Sequence, residues 1–225
     1  MDRFTGFPKD AMGFWHELEV EMNKAWFDAH KARYEAQWVA PFTALLAQVS
    51  AKLAATYRGI PLGAPKIMRI HRDVRFGKDK SPYKTWIGGG ISLDNKKPTE
   101  SVVALYAHFG LGEDFVGAGQ YTFMDDTLVR WRKVVADAKT GPAIAKLVAK
   151  LTKKGYGIAA SDTLARVPKP FDPEHPRAEL LRMKGLVVTF PAIPRGLIHK
   201  PAFADWLVEH AKAAAPLAKW LHAHL

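Results

Sequence analysis

The chain has 225 residues and a formal net charge of +11 at pH 7, from 33 basic and 22 acidic side chains. It contains no cysteine, which excludes disulfide scaffolds, thiolate nucleophiles and cysteine-ligated zinc or iron–sulfur sites. The basic surplus favours an anionic partner such as a phosphorylated metabolite, a nucleic acid or an acidic lipid, without choosing among them. The N-terminus does not resemble a signal peptide and no window has about 18 apolar residues, so the sequence predicts a cytoplasmic protein without membrane insertion.

The first part of the chain has helical periodicity. Apolar positions recur at helical spacing from Leu18 to Tyr34. A second apolar stripe follows Pro41 and consists of Phe42, Leu45, Leu46, Val49 and Leu53. Because proline suits the first turn of a helix, Pro41 is predicted to begin a separate helix.

At Lys66 the apolar period changes to two. In residues 66–76, KIMRIHRDVRF, most apolar side chains fall on one side, which predicts a strand. The other side is a polar row made of Arg69, His71, Asp73 and Arg75. Further strands are predicted within residues 85–93, 101–110, 114–121, 155–160 and 185–190. Successive strands with short connections indicate a mainly antiparallel sheet.

Helical spacing returns in the second half of the chain. Helices are predicted around Leu128–Val135, after Pro142, at Ala178–Met183, and from Pro201, with Pro216 kinking or restarting the last one. The whole chain, residues 1–225, is therefore predicted to be one α+β domain. Its central sheet receives helices from the N-terminal and C-terminal segments.

Cations are concentrated between Lys66 and Lys84. Seven basic side chains share this segment with only two carboxylates, Asp73 and Asp79, which is a surplus of five. Burying an unpaired ion costs several kcal/mol, whereas a hydrogen bond to a charged group returns about 1.5–3 kcal/mol. The cations without a carboxylate partner must therefore reach water or a bound anion. Arginine suits bidentate contacts with phosphate or carboxylate, and lysine adds a mobile charge.

These side chains predict a pocket for a small molecule that carries phosphate or carboxylate. The predicted ligand-binding residues are Arg69, Arg72, Asp73, Arg75, Lys78, Lys80, Tyr83, Lys84, Tyr106, Gln120, Tyr121 and Arg132. The 78–84 turn is expected to close over a floor formed by five side chains: Arg69, His71, Arg75, Tyr106 and His108. The glycines at 88–90 remove side chains, which lets a ligand or another backbone approach closely.

The sequence does not specify a reaction. If the protein is an enzyme, His71 and His108 are the candidate acid and base groups, because histidine titrates near neutrality. No complete set of metal ligands is visible, and the glycine runs lack the spacing of a dinucleotide fingerprint or a P-loop. No metal or cofactor is therefore predicted.

Two alternatives remain open for the cations. They could form an open stripe for nucleic acid, although the sequence contains no recognised nucleic-acid module. Arg72 and Arg75 could instead be structural, pairing with the aspartates and capping carbonyls while the lysines are solvated. The three hypotheses share the same residues and differ in what those residues contact.

The string R-D-V-R-F-G-K-D-K-S-P-Y-K-T resembles the signature of the domain-of-unknown-function 2461 family, whose members are mainly bacterial. Other segments agree with it: FTGFP, NKAWFDAHKARYE, GAGQY, LVRWRKVVAD, HPRAELLRMKGL and PLAKWL. The resemblance covers almost the whole chain and implies a single α+β domain in the cytosol. It implies no established activity. At one place the chain departs from the family pattern, because Met22-Asn23 stands where the resemblance leads us to expect paired asparagines.

Overall fold

The computed structural model describes residues 3–75, 78–94, 101–112 and 114–225. Within them, antiparallel strands form one six-stranded sheet in the order β1-β2-β3-β4-β6-β5. The strands are Lys66–Ile67 (β1), Trp86–Ser92 (β2), Val103–Gly110 (β3), Phe115–Gln120 (β4), Gly157–Ala159 (β5) and Leu186–Thr189 (β6). The helices are Ala11–Glu21 (α1), Lys24–Tyr34 (α2), Ala40–Leu53 (α3), Asp125–Ala136 (α4), Gly141–Thr152 (α5), Ala178–Arg182 (α6) and Phe203–His224 (α7). The predicted α+β domain with an antiparallel sheet is confirmed.

Pro41 lies in the first turn of α3, as predicted, but α2 and α3 form one continuous helical run, so α3 is not a separate helix. A π-helical segment, Glu35–Val39, joins them. Proline has no N–H to donate, and its ring clashes with the carbonyl four residues earlier in a regular α-helix. The wider π turn just before Pro41 lets the chain continue without that clash. At the start of α2, the Asn23 side chain accepts a hydrogen bond from the Trp26 amide at 2.9 Å and caps the helix.

The helices α3 and α7 lie side by side and cover one face of the sheet. The stripe predicted on α3 is fully buried, each member having 0% of its surface exposed. On the sheet, Phe109 lies at the centre of this layer, with its ring 5.6 Å from that of Phe42 on α3 and 5.8 Å from that of Phe203 on α7. Each fully buried side chain of this size contributes about 1.5–3 kcal/mol.

The last helix, α7, is unbroken through Pro216, so it does not restart there. Leu207 and Leu217, on either side of the proline, are both fully buried. A proline inside a helix costs about 3 kcal/mol, and burial on both sides of it offsets that cost. Among the described residues, no helix is both long and apolar enough to cross a lipid bilayer.

The two faces of the sheet differ in composition. On the helix-covered face, Ile87, Leu105 and Val116 belong to the core. Side chains alternate between the faces along a strand, so the neighbouring residues point to the opposite side. These neighbours include Trp86, Tyr106, His108 and Phe115, which are all half-buried. The second face therefore carries aromatic side chains that lie outside the core.

Candidate functional site

A hairpin rich in cations lies at the β1 edge of the sheet, and its described residues 66–75 and 78–86 are called the basic hairpin below. Its arms stay paired beyond β1. The Arg72 amide donates to the Pro82 carbonyl at 2.9 Å, and the Lys84 amide donates to the Ile70 carbonyl at 2.9 Å. A single antiparallel bridge joins His71 and Tyr83 between these bonds.

The predicted strand at 66–76 is wrong beyond Ile67, and its last residue, Phe76, lies outside the described residues. Between the pairs Ile67↔Gly89 and His71↔Tyr83, one arm advances four residues and the other six, so regular register is lost. Further on, Pro82 has no N–H to give to a ladder. Aspartate side chains also compete for backbone donors, a behaviour typical of turns. The Asp73 carboxylate, for example, accepts the amide of Arg75 at 3.2 Å.

Both carboxylates of the basic hairpin pair with arginines. Arg75 donates twice to Asp73, at 2.9 and 2.7 Å, and Arg72 lies 2.9 Å from Asp79. Hydrogen bonds from Arg75 hold the pKa of the Asp73 carboxyl well below its usual range. The Ser81 amide and hydroxyl, followed by the charge of Arg72, lower the pKa of Asp79. These contacts agree with the structural interpretation of Arg72 and Arg75, although exposed ion pairs contribute little to stability.

Among the described cations of the basic hairpin, Lys84 has the most crowded surroundings. Its ammonium donates to the Arg69 carbonyl at 2.9 Å and lies 4.7 Å from the centroid of the Trp86 ring. Burial, and then the positive charges of Arg69 and Arg72, lower the pKa of Lys84. A carbonyl and a ring stabilise a cation without neutralising it. The two internal aspartates therefore leave positive charge in excess around Lys84.

We expect anion binding at this hairpin to weaken as the pH rises. The weakening should begin at a lower pH than it would if the lysine had its usual pKa. The protonated amine of Lys84 attracts the anion, and its pKa lies below the usual 10.5. As the pH rises through that lowered pKa, the charge and its share of the affinity are lost. Titrating the affinity for inorganic phosphate between neutral and alkaline pH measures this. A Lys84→Arg variant, which stays charged throughout, should remove the dependence; an unchanged profile in that variant would contradict the assignment to Lys84.

Tyr83 packs the basic hairpin against α2. Its ring is 3% exposed and stacks on Phe27 with centroids 4.5 Å apart. The ring of His71, an exposed residue, lies 5.1 Å from Tyr83 and 6.2 Å from Phe27. The predicted ligand residue Tyr83 thus acts on the structure as an anchor, and His71 packs beside that anchor at the surface.

Four aromatic side chains beside the hairpin form a continuous surface, called the ring face below: Trp86, Tyr106, His108 and Phe115. The His108 ring lies between Trp86 at 5.2 Å and Phe115 at 5.6 Å. Tyr106 is 6.0 Å from His108, and its hydroxyl points at the sulfur of Met68 at 3.6 Å. Burial raises the pKa of Tyr106 to about 12, so its hydroxyl stays protonated at neutral pH.

Glycines lie beneath these rings. A Cβ added at Gly88 would lie 2.6 Å from the Trp86 ring and 2.9 Å from the Tyr106 hydroxyl. One added at Gly117 would lie 3.3 Å from the Phe115 ring. The missing side chains therefore let rings approach the backbone of the sheet. In the predicted 88–90 glycine run, Gly89 instead faces α3, where the added atom would be 3.2 Å from Leu46.

A family model described as "Conserved hypothetical protein (DUF2461)" matches residues 10–220, almost the whole chain. The chain belongs to this family. A search of the curated proteins found no match, and a search of the solved structures found none. The DUF2461 assignment thus confirms the resemblance seen in the sequence. The family description names no activity, so any function of this protein must follow from its own residues.

Not every predicted ligand residue of this DUF2461 protein lies near the hairpin. Gln120 pairs with Leu186 at the end of β4 remote from Phe115, and its side chain donates to the Thr122 carbonyl at 3.2 Å. Tyr121, next along the chain, is 57% exposed. Arg132 is on α4, which packs against α5, α6 and α7. The structure therefore separates these three residues from Tyr106 and His108.

The other predicted residues stay with the hairpin. Lys78 and Lys80 are exposed, and the Lys80 ammonium donates to the Val74 carbonyl at 2.7 Å. Tyr106 and His108 lie on β3, two strands in from the edge that carries the hairpin. The structure thus groups Arg69, Lys84 and the ring face on one side of the sheet.

Sequence reasoning missed Trp86 and Phe115 as site residues. Both begin the same local pattern, an aromatic residue followed by glycines two and four positions later, at 86-88-90 and 115-117-119. In a strand these positions share one face. The repeated pattern was therefore a readable signal for two rings lying over glycine-lined backbone on the same side of the sheet.

Proposed function

We propose that the protein binds an anionic small molecule, carrying phosphate or carboxylate, at the basic hairpin. The observation that carries this proposal is the position of the Lys84 ammonium, which donates to the Arg69 carbonyl at 2.9 Å and lies 4.7 Å from the Trp86 centroid. Burial, and then the like charges of Arg69 and Arg72, lower the pKa of Lys84, so the folded protein holds a cation at a free-energy cost. A bound anion would reverse that cost, because an opposite charge favours the ionised amine.

The exposure of the basic hairpin favours an open binding site over an enclosed pocket. The cations Arg69, Lys78 and Lys80 are exposed. Two surface cavities, of about 710 and 400 Å³, are lined by residues of α5 and the 175–180 segment, and of α1 and α2, rather than by the hairpin. We therefore expect a ligand that lies across the hairpin surface and exchanges readily with solvent.

Anion-dependent thermal stabilisation tests the proposal. At a phosphate concentration ten times the dissociation constant, binding should stabilise the fold by about 1.4 kcal/mol. For a chain of this size that is a rise in Tm of roughly 3–5 °C. The Lys84→Ala variant should lose most of this rise, because it removes the cation nearest the ring face.

A matched control is Lys150→Ala. Lys150 is an exposed lysine on α5, which contacts β5 at the opposite edge of the sheet. Lys150→Ala removes one positive charge, as Lys84→Ala does, and should leave the phosphate-dependent rise in Tm intact. Equal losses in the two variants would mean that phosphate acts through total charge, and no rise in the wild-type protein would refute the proposal.

Nucleic-acid binding is the second candidate function, and the open position of the cations favours it. Its signature is affinity that falls steeply with salt, with a logarithmic slope of about −0.7 per phosphate neutralised on a single strand. An acid–base role for His71 or His108, and a cytoplasmic location, remain predictions from the sequence. A purely structural hairpin would show neither anion stabilisation nor nucleic-acid binding.

A further inference from the structure

The ring face presents aromatic side chains from three adjacent strands next to the ammonium of Lys84, which lies 4.7 Å from the Trp86 centroid. We propose that this face stacks a planar nucleobase, so that the anion bound at the hairpin is the phosphate of a nucleotide. The inference rests on the proposed function, since it names the ligand class for that same site. The nucleotide can be free or part of a single strand, because both present a base beside a phosphate.

Two of the four rings extend over glycines of their own strands. The Trp86 ring reaches over Gly88, and the Phe115 ring reaches over Gly117, on strands that flank β3. Between them, the His108 ring is inclined by only 26° to that of Phe115, at 5.6 Å. A side chain at Gly88 would displace the Trp86 ring, and one at Gly117 would meet the Phe115 ring at 3.3 Å. The two glycines thus let these rings approach the backbone of the sheet.

Core packing does not account for these side chains. Trp86, Tyr106 and Phe115 are half-buried, yet they are not among the residues packed against the hydrophobic core. Their accessible parts adjoin one another, and a contiguous apolar surface marks a binding site more often than single apolar residues do. Base stacking on aromatic side chains is the contact that such a surface suits, because every base has a planar face.

The cation and the rings are close enough to contact one nucleotide together. The Lys84 ammonium lies 4.7 Å from the Trp86 centroid, and the His108 ring lies 5.2 Å from that centroid. Lys84 covers part of Trp86, so the base is assigned to His108 and Phe115 and the phosphate to Lys84 and Arg69. A duplex fits poorly, because its bases are stacked on one another and do not reach a flat protein surface.

Comparing ligands that differ only in the base tests this assignment. Dissociation constants are measured for adenosine 5′-monophosphate and ribose 5-phosphate, on the full chain, by calorimetry. We expect the nucleotide to bind about tenfold more tightly or better, as stacking of one base gives. Phe115→Ala should remove that preference and leave the affinity for ribose 5-phosphate unchanged. Phe115→Leu repeats the test with the apolar volume largely kept. Tyr121→Ala replaces an exposed aromatic residue that follows the far end of β4, and it should change neither constant.

The outcomes separate this inference from the proposed function. Equal affinities for the two phosphates, unaffected by Phe115→Leu, would overturn base stacking while anion binding stands. Failure of both phosphates to bind would remove the two together. A short single-stranded oligonucleotide that binds more tightly than the mononucleotide would identify single-stranded nucleic acid as the source, and an equal affinity would identify the free nucleotide. Tighter binding of the matching duplex would overturn the inference.

Discussion

Replacing Gly119 with alanine should lower the free energy of unfolding by about 2–6 kcal/mol. Gly119 has φ +125°, a backbone conformation that a residue with a side chain adopts only under strain, at about 1–3 kcal/mol. The new Cβ would also lie 2.2 Å from the carbonyl oxygen of Leu186 and 3.1 Å from the Cα of Val187. Both contacts are with the backbone of β6, which cannot rotate away, so overpacking adds roughly 1–3 kcal/mol.

Equilibrium unfolding in urea measures the loss, and Gly59→Ala is the matched control. Gly59 has φ +86°, and nothing lies within 4 Å of the added Cβ, so only the conformational cost applies. That cost is about 1–2 kcal/mol. If the two variants lost the same stability, the close approach of β4 and β6 at Gly119 would have no energetic consequence and our account of the position would be wrong.

Replacing Tyr83 with alanine should cost about 3 kcal/mol of stability and abolish anion binding at the basic hairpin. The ring is buried against Phe27, and truncating a buried aromatic side chain to alanine typically costs about 3–5 kcal/mol. The value should be near the lower end of that range because Tyr83 packs at the margin of the core. The functional loss follows because the Lys84 amide is positioned by the same hairpin arm.

Tyr83→Phe separates the ring from the hydroxyl. Stacking on Phe27 uses the ring, so this variant should lose less than about 1 kcal/mol and keep the rise in Tm that phosphate produces. Urea unfolding and the phosphate titration are run on both variants. Intact phosphate stabilisation in a folded Tyr83→Ala protein would show that the cations act without a fixed hairpin, which contradicts the proposed site.

The sheet and the helices were predictable because burial imposes a period on the sequence. The α3 stripe and the strands at 101–110 and 185–190 each bury a regular row of apolar side chains, and the structure contains α3, β3 and β6 there. The places where a helix or a strand departs from regular geometry depended on local backbone chemistry. The π turn before Pro41 follows from a missing N–H, which apolar periodicity does not report. The unequal advance of the two hairpin arms between β1 and the His71–Tyr83 bridge was likewise not visible in that periodicity.

The candidate site was predictable in its charge and less so in its geometry. The surplus of cations was visible in the composition of residues 66–84. The pairing of Asp73 with Arg75 depends on a tight turn rather than on the straight strand that was predicted. Gln120 and Tyr121 were expected near His108 because β3 and β4 are neighbours, but antiparallel pairing places them at the opposite end. Strand adjacency alone does not determine which ends meet.

The two outer strands of the sheet have a consequence for behaviour at high protein concentration. β1 has two residues and β5 has three, whereas β2 and β3 inside the sheet have seven and eight. A long, unprotected border strand is a template on which a second chain can add its own strand, and short borders are one way that natural proteins prevent such growth. β1 is short, which leaves the basic hairpin irregular, and β5 is short as well. These short outer strands should therefore help to keep copies of this molecule from polymerising edge to edge.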